Sequence, residues 1–176
     1  MTKEQYCKIT GPFRSNPKAA RCLHRLDRGC TIIIVAAYVL LLGMEFYGWA
    51  AGGWSKDETL MLLLRSTFVP FAGFMTLTVF RAAVNRPRPY ETFGMEPVIP
   101  KETKGKSFPS RHVFSACMIA LTYLCLVQPI GAGILLLLAA VLIAVIRVLS
   151  GVHYLSDVLV GAGWAVFFAI LGYIVI

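Results

Sequence analysis

The sequence predicts an all-α protein: a polytopic transmembrane helical bundle with about five spans and a short N-terminal amphipathic helix. The chain of 176 residues is 57% hydrophobic and only 15% charged, which is typical of membrane proteins. Several of its apolar runs approach the roughly 20 residues that a helix needs to cross a bilayer. Because lipid offers the backbone no hydrogen-bond partners, these runs must be helical. The last three runs also lack the polar face of a soluble amphipathic helix.

The predicted elements follow one another along the chain, beginning with a basic segment at residues 1–30. Within it, Asn16 can cap a helix, Pro17 suits the first helical position and Gly29 can end it. This short basic amphipathic helix suits the headgroup level of a membrane, and a solvated lead-in to the first span is the alternative. The spans themselves are predicted at residues 31–49, 60–80, 110–127, 130–146 and 157–176.

Prolines and glycines between the second and third spans predict a loop at residues 81–111, which carries seven Lys or Arg and three Glu. By itself such a loop usually marks the cytoplasmic side or contacts anionic headgroups. The second span ends on one membrane face, the third begins there and the fourth returns to it. The loop therefore shares that face with the start of the third span and with residues 147–157. We expect residues 1–176 to form a single membrane-embedded domain.

The residues that meet on this face suit phosphate chemistry. Converging arginines match phosphate oxygens and stay charged, and Ser110 at a helix start adds a hydroxyl and backbone N–H groups. A histidine can attack phosphorus when its other ring nitrogen donates to a carboxylate. Asp157 follows His153 by four residues, about one helical turn. His112 can protonate the departing alcohol and then activate water.

The acidic, cysteine and basic residues of the sequence also indicate which cofactors and partners to expect. No Asp, Glu or Cys cluster in the sequence has the spacing of a metal cage, so we expect metal-free chemistry with no cofactor. The basic residues lie at predicted membrane boundaries, so no nucleic-acid partner is expected. The expected partners are the bilayer and a membrane lipid phosphate, and the sequence does not indicate an oligomeric state.

Three segments in this order resemble the signature of the type 2 phosphatidic acid phosphatase superfamily, in its membrane lipid phosphatase branch. "RAAVNRPRP" at 81–89 resembles its Lys-x6-Arg-Pro motif, with Arg81 in place of the lysine. "PSRH" at 109–112 resembles Pro-Ser-Gly-His, with Arg111 in place of the glycine. "IRVLSGVHYLSD" at 146–157 resembles Ser-Arg-x5-His-x3-Asp, with Ile146 in place of the serine. Each motif alone is weak, but the three together are specific.

The resemblance implies a role for each matching residue. His153 is expected to be the nucleophile, Asp157 its orienting partner, and His112 the general acid and then the general base. The residues expected to bind the phosphate oxygens are Arg81, Arg88, Ser110, Arg111 (through its backbone) and Arg147. The arginine at position 111 replaces a glycine whose small size allows close backbone approach, so its side chain is expected to point away or to contact the headgroup.

The expected function is an integral-membrane lipid phosphatase that hydrolyses a phosphate monoester or pyrophosphate through a phosphohistidine intermediate. Its substrate is expected to be a phospholipid or a polyprenyl lipid. One alternative is a non-catalytic lipid-headgroup binder or transporter, which does not need His153 and Asp157 at hydrogen-bonding spacing. A vanadate-dependent haloperoxidase is another alternative, but those relatives are soluble, whereas five apolar spans argue for a substrate from the bilayer.

The charge distribution and the resemblance differ on which membrane face carries the site. Residues 1–30 contain seven Lys or Arg and two acidic residues, and the positive-inside rule assigns such a segment to the cytoplasm. With two spans before the first motif, this segment and the site share one face, so the charge bias favours a cytoplasmic site in a bacterial cell membrane. The resemblance instead implies an outer-face site, because family members commonly have six spans and an external active site.

Overall fold

The computed structural model describes residues 2–51, 55–127 and 129–175, which are helical with short connections and contain no strand. Its eight α-helices are α1 (Lys3–Arg14), α2 (Pro17–Ala50), α3 (Lys56–Leu63), α4 (Val69–Val84), α5 (Pro89–Phe93), α6 (Arg111–Leu126), α7 (Gly131–Leu149) and α8 (Leu155–Ala169). A π-helical segment, Leu64–Phe68, joins α3 to α4, and a second, Ile170–Val175, extends α8. The predicted all-α class is confirmed.

The membrane-spanning character is visible in the lengths and surfaces of these helices. Four helical stretches in the described ranges are long and apolar enough to cross a membrane: Pro17–Ala50, Asp57–Phe93, Gly131–Leu149 and Leu155–Val175. The helix Arg111–Leu126 is apolar but shorter. Apolar side chains such as Ile33 and Leu40 are exposed, whereas Arg147 and Asp157 are buried. This distribution is opposite to that of a soluble protein and agrees with the predicted multi-pass bundle.

The N-terminal region differs from the prediction in two respects. The helix that begins at Pro17 does not end at Gly29 but continues to Ala50, because a glycine inside a helix costs only about 1 kcal/mol and apolar helix-forming residues follow it. At about 51 Å, from ~1.5 Å per residue, α2 exceeds the roughly 30 Å hydrocarbon core of a bilayer. The separate amphipathic helix is instead α1 (Lys3–Arg14).

Helix α1 docks on the end of the bundle that carries the three motifs. Tyr6 is fully buried, and its side chain lies where a side chain at Gly151 would be, with the hydroxyl oxygen 2.6 Å from the Cβ position. Gly151 also has φ of 71°, so both its backbone and its neighbour favour glycine. Arg14 donates through Nη2 to the carbonyl of Glu96. The basic N-terminal segment and the motifs therefore lie at the same end of the bundle.

The segment predicted as a loop at 81–111 contains helical structure at its start. Helix α4 continues to Val84 and ends at Asn85, whose φ of 41° is left-handed, and the short helix α5 follows. The carboxylate of Glu91 accepts the backbone N–H groups of Arg88 (2.8 Å) and Gly105 (2.9 Å). A buried or half-buried N–H group needs an acceptor, and here one carboxylate serves both segments. These bonds therefore hold the rest of the loop against α5.

Helix α6 is the centre of the bundle and packs against α2, α4, α7 and α8. Its close approach to α8 depends on Gly161, where an added Cβ would lie 2.7 Å from the carbonyl oxygen of Ser110. The backbone N–H of Ser110 donates to the carbonyl of Asp157 at 2.9 Å. The start of α6 and the start of α8 are therefore held together, and each carries residues of the predicted site.

The π-helical segment between α3 and α4 has a local cause and links α4 to α2. Pro70 has no N–H to donate to the carbonyl of Ser66, four residues earlier. The hydroxyl of Tyr38 in α2 donates to that carbonyl instead, at 2.8 Å. The Ser66 hydroxyl in turn donates to the buried carboxylate of Glu45, also in α2, at 2.6 Å. These polar contacts join the two helices at a point far from the motifs.

Candidate active site

The carboxylate of Asp157, at the start of α8, is the centre of a buried hydrogen-bond network. Its Oδ2 accepts the hydroxyl of Ser107 (2.5 Å) and the backbone N–H of Tyr154 (3.0 Å). The same oxygen lies 3.3 Å from Nδ1 of His153. Oδ1 accepts Nη1 of Arg86 at 2.9 Å. Asp157 is fully buried, so these donors stabilise a carboxylate that water does not reach.

The surroundings of His153 favour one tautomer of its ring. Its Nδ1 faces the Asp157 carboxylate and also lies 3.4 Å from the Ser107 hydroxyl, an arrangement that favours a proton on Nδ1 and leaves the lone pair on Nε2. Burial of the ring lowers the pKa of His153 to about 4, with the charges of Arg88 and Arg81 acting in the same direction and Asp157 opposing them. The ring is therefore neutral at neutral pH.

Arg81 and Arg88 connect the loop to the helices around His153. Nη1 of Arg81 donates to the carbonyl of Pro109 at 2.6 Å. Arg88 donates through Nε to the carbonyl of Gly105 (3.2 Å) and through Nη1 to that of Val152 (3.4 Å). Both side chains are buried. Because a guanidinium has more N–H donors than these bonds use, each can also contact a ligand.

Arg147 has a partner that the motif does not include. Its Nη2 donates to Oδ2 of Asp27 in α2 at 3.0 Å, and its Nε is buried without an acceptor among the described residues. Its backbone carbonyl accepts the N–H of His153 at 3.2 Å. The third motif is thus linked through its arginine to the N-terminal half of α2.

The second motif supplies groups with different surroundings. The Ser110 hydroxyl is buried and has no hydrogen-bond partner in the part of the chain that the structure describes. The guanidinium carbon of Arg111 lies 5.8 Å from the ring centroid of Phe74, so this side chain points toward α4. The ring of His112 is exposed and lies within electrostatic range of His153 and Arg147.

An apolar groove leads away from His112 between α2 and α4. Its first part, a cavity of about 340 Å³, is lined by Thr31, Ile34, Val35, Phe74, Arg111, His112, Ser115, Ala116, Ile119 and Ile143. A second cavity of about 310 Å³ shares Phe74, Ser115 and Ile119 with it and reaches Leu42 and Thr67. Except for Arg111 and His112 at one end, these linings are mostly apolar. The groove therefore fits a hydrocarbon chain attached to a polar group.

Cations outnumber acids at this end of the bundle. Lys101, in the loop before α6, is half-buried. Burial lowers its pKa, and the charges of Arg88, Arg147 and Arg81 lower it further, while Asp27 opposes them. His, Cys, Asp and Glu side chains do not form a group of three that could hold a metal ion within the described residues. The donor set therefore suits an anion with several oxygens.

The structure brings the predicted site residues of all three motifs to one end of the bundle and adds residues that we did not predict. Ser107 and Arg86 both bind the Asp157 carboxylate, and Asp27 binds Arg147. Ser107 precedes the second motif by two residues, and Arg86 lies inside the first. Their closeness to the motifs was therefore a signal in the sequence that they belong to the site. Asp27 is an isolated acid in a basic segment, and only its tertiary partner reveals its role.

The fold and the site together define a class of protein, namely a helical membrane protein with a buried His–Asp pair among arginines. The model of the PAP2 superfamily matches residues 59–176, about two thirds of the chain. The protein therefore belongs to the PAP2 superfamily. No curated protein matches the chain at a significant level.

Two solved structures share the fold. LpxE of Aquifex aeolicus is 20% identical with a TM-score of 0.63, over 96% of this chain and 92% of that one. A transmembrane PAP2 type phosphatidylglycerolphosphate phosphatase from Bacillus subtilis is 21% identical with a TM-score of 0.68, over 96% of this chain and 83% of that one. Together with the family match, these neighbours support a membrane phosphatase.

Replacement of Ser107 by alanine should lower kcat for phosphate release by about tenfold, the scale of one hydrogen bond to a charged group. The variant removes one donor from the Asp157 carboxylate and leaves His153 less firmly oriented. Ser156→Ala is the matched control, because the exposed Ser156 hydroxyl accepts a bond from Arg86 and does not contact the Asp157 carboxylate within the described part of the chain. Steady-state kinetics on both variants measures the difference. Equal activity in Ser107→Ala and Ser156→Ala would contradict this role for Ser107.

Proposed function

We propose that the protein is an integral-membrane lipid phosphatase that removes a terminal phosphate from a phospholipid or polyprenyl lipid. We further propose that residues 1–176 act as one domain. The observation that carries the proposal is the buried His153–Asp157 contact at 3.3 Å, surrounded by arginines at the polar end of an apolar groove. A headgroup binder or transporter has no need of a neutral, oriented imidazole in this position.

The proposed reaction has two steps at phosphorus. Nε2 of His153 attacks the phosphorus atom, and the bond from phosphorus to the lipid oxygen breaks. His112 acts in its protonated form, which the negative charge of a bound phosphate favours, and gives this proton to the departing lipid alcohol. His112 then takes a proton from water, whose oxygen attacks the phosphohistidine, and the P–N bond breaks to release inorganic phosphate. Asp157 keeps its hydrogen bond to Nδ1 and stabilises the positive charge that develops on the ring.

The phosphate oxygens would be held by the cations of the three motifs. Arg81, Arg88 and Arg147 supply guanidinium donors, and the Ser110 hydroxyl has no other partner among the described residues. The backbone N–H of Arg111 begins α6, where the helix dipole favours an anion. These fixed donors would stabilise the charge on the phosphoryl group in the transition state.

The groove between α2 and α4 supports a lipid substrate. A lipid phosphate placed with its phosphate beside His112 would extend its hydrocarbon chain past Phe74 toward Leu42. Burial of apolar chain in such a groove contributes roughly 0.8 kcal/mol per methylene, so binding energy from the chain can hold the phosphate at the site.

We also propose that the reaction is independent of metal ions. In this mechanism arginines carry out the charge neutralisation that a divalent cation performs in many other phosphoryl-transfer enzymes. Histidine is the nucleophile, so a metal-activated water is not required.

His153→Ala and His112→Ala should each lower phosphate release from a lipid phosphate at least about a hundredfold, the scale of acid–base and nucleophilic groups. The matched control is His24→Ala, because His24 is the third histidine of the chain and is exposed on α2. The assay uses purified protein in detergent with a chelator and no added magnesium.

Three outcomes of this assay would contradict the proposal. Phosphate release at the same rate from wild type and His153→Ala would exclude His153 as the nucleophile. Binding of lipid phosphate without any release by wild type would favour the non-catalytic alternative. Loss of wild-type activity in the chelator, restored by magnesium, would overturn metal independence.

We propose that the site faces the cytoplasm of a bacterial cell. The basic segment 1–30 and the site lie at the same end of the bundle, and the positive-inside rule assigns that segment to the cytoplasm. Lys104 is exposed in the loop at this end.

A single cysteine at Lys104, in a variant without the five native cysteines, reports the orientation. An impermeant maleimide should leave Lys104→Cys unlabelled on intact cells and label it after the membrane is opened. Rapid labelling of intact cells would assign the site to the outer face, as the family resemblance implies.

A further inference from the structure

A buried ion pair joins α2 to the third motif. Oδ2 of Asp27 and Nη2 of Arg147 are 3.0 Å apart, and their side chains are only 10% and 7% exposed. The contact uses one oxygen and one nitrogen. The other carboxylate oxygen, Oδ1, and the guanidinium Nε are both buried without partners among the described residues. The pair therefore fixes one edge of the Arg147 guanidinium and leaves other donors unused.

Side chains from α2, α7 and the loop before α6 pack beside this pair. Leu23, one turn before Asp27, packs in a small core with Ile99 and Ile146. Ile146 precedes Arg147 and occupies the position where the family motif has serine. The backbone N–H of Val98 donates to the carbonyl of Ser150 at 3.0 Å, which holds the loop over the end of α7. The contact of Leu23 with Ile99 and Ile146 docks the N-terminal half of α2 and places Asp27 beside Arg147.

The charges nearby require a carboxylate at this position. The charge of Arg88 acts on Arg147, the charge of Arg147 acts on Lys101, and Asp27 opposes the repulsion at both cations. A buried guanidinium without its counter-ion is strongly destabilised and is repelled by like charges. Asp27 therefore supplies the attraction that holds the Arg147 guanidinium at this position. Asp27 lies outside residues 59–176, the part of the chain that the family model matches.

We infer that Asp27 is a positioning residue of the active site, which holds the Arg147 guanidinium by one edge so that its free N–H donors bind the substrate phosphate. This inference rests on the proposed function. It assigns a role in phosphate binding to the N-terminal part of α2, which belongs to none of the three motifs. The substrate group concerned is the phosphate itself, so free inorganic phosphate is a suitable probe.

Asp27→Asn keeps the size of the side chain and removes its charge. Calorimetric titration with inorganic phosphate should show about a tenfold increase in Kd, the lower end of the effect of losing a partner that orients a ligand-binding group. The KM for a lipid phosphate should rise in the same proportion. Asp27→Glu restores the charge one methylene further out, and its Kd should lie between those of wild type and Asp27→Asn.

Glu45→Gln is the matched control, because Glu45 is a second buried carboxylate of α2, bonded to Ser66 and about 27 Å along the helix, at ~1.5 Å per residue. It should lower the melting temperature in detergent without changing the phosphate Kd. If Asp27 had only a structural role, Asp27→Asn would likewise lower the melting temperature and leave the phosphate Kd unchanged. If Asp27→Asn does not fold, Asp27→Glu carries the test, and a wild-type Kd in that variant would overturn the inference.

The results also separate this inference from the proposed function. Wild type that releases phosphate, with unchanged or tighter phosphate binding in Asp27→Asn, contradicts the role of Asp27 alone. Wild type that neither releases nor binds phosphate contradicts the proposed function and with it the inference.

Discussion

The hydrogen bonds to the Asp157 carboxylate are the interaction on which the rest of the site depends. They join Arg86 of the first motif, Ser107 beside the second and His153 of the third, and the backbone of Asp157 also accepts Ser110. A fully buried carboxylate is stable only when donors surround it. The same donors that stabilise the fold therefore orient the imidazole, so folding and the geometry of the site are coupled at one residue.

Much of the fold could be predicted from hydropathy, because lipid leaves the backbone no alternative to helix. The start of α2 at Pro17 also followed from local capping by Asn16. Other features depended on tertiary contacts that a sequence does not display. Helix α1 is held by Tyr6 against Gly151. The continuation of α2 through Gly29 follows from the apolar helix after it, since a single glycine is a weak stop signal.

The candidate site was predictable where residue spacing carries the chemistry, as in the spacing of four positions from His153 to Asp157. It was less predictable where a side chain acts through a partner far away in sequence. Arg147 was expected to contact phosphate, and the structure pairs it with Asp27, 120 residues earlier. The small core of Leu23, Ile99 and Ile146 explains the isoleucine in the family's serine position as a packing residue that docks α2.

An oriented, neutral His153 that attacks phosphorus is the centre of the proposed reaction, and trapping the covalent intermediate tests this most directly. Wild-type protein would be mixed with a lipid phosphate carrying radioactive phosphorus, quenched in denaturant and divided between acid and base. A label that is stable in base, labile in acid, absent from His153→Ala and slow to form in Asp157→Asn is the predicted result. A label that is labile in base, or that persists in His153→Ala, would contradict the account.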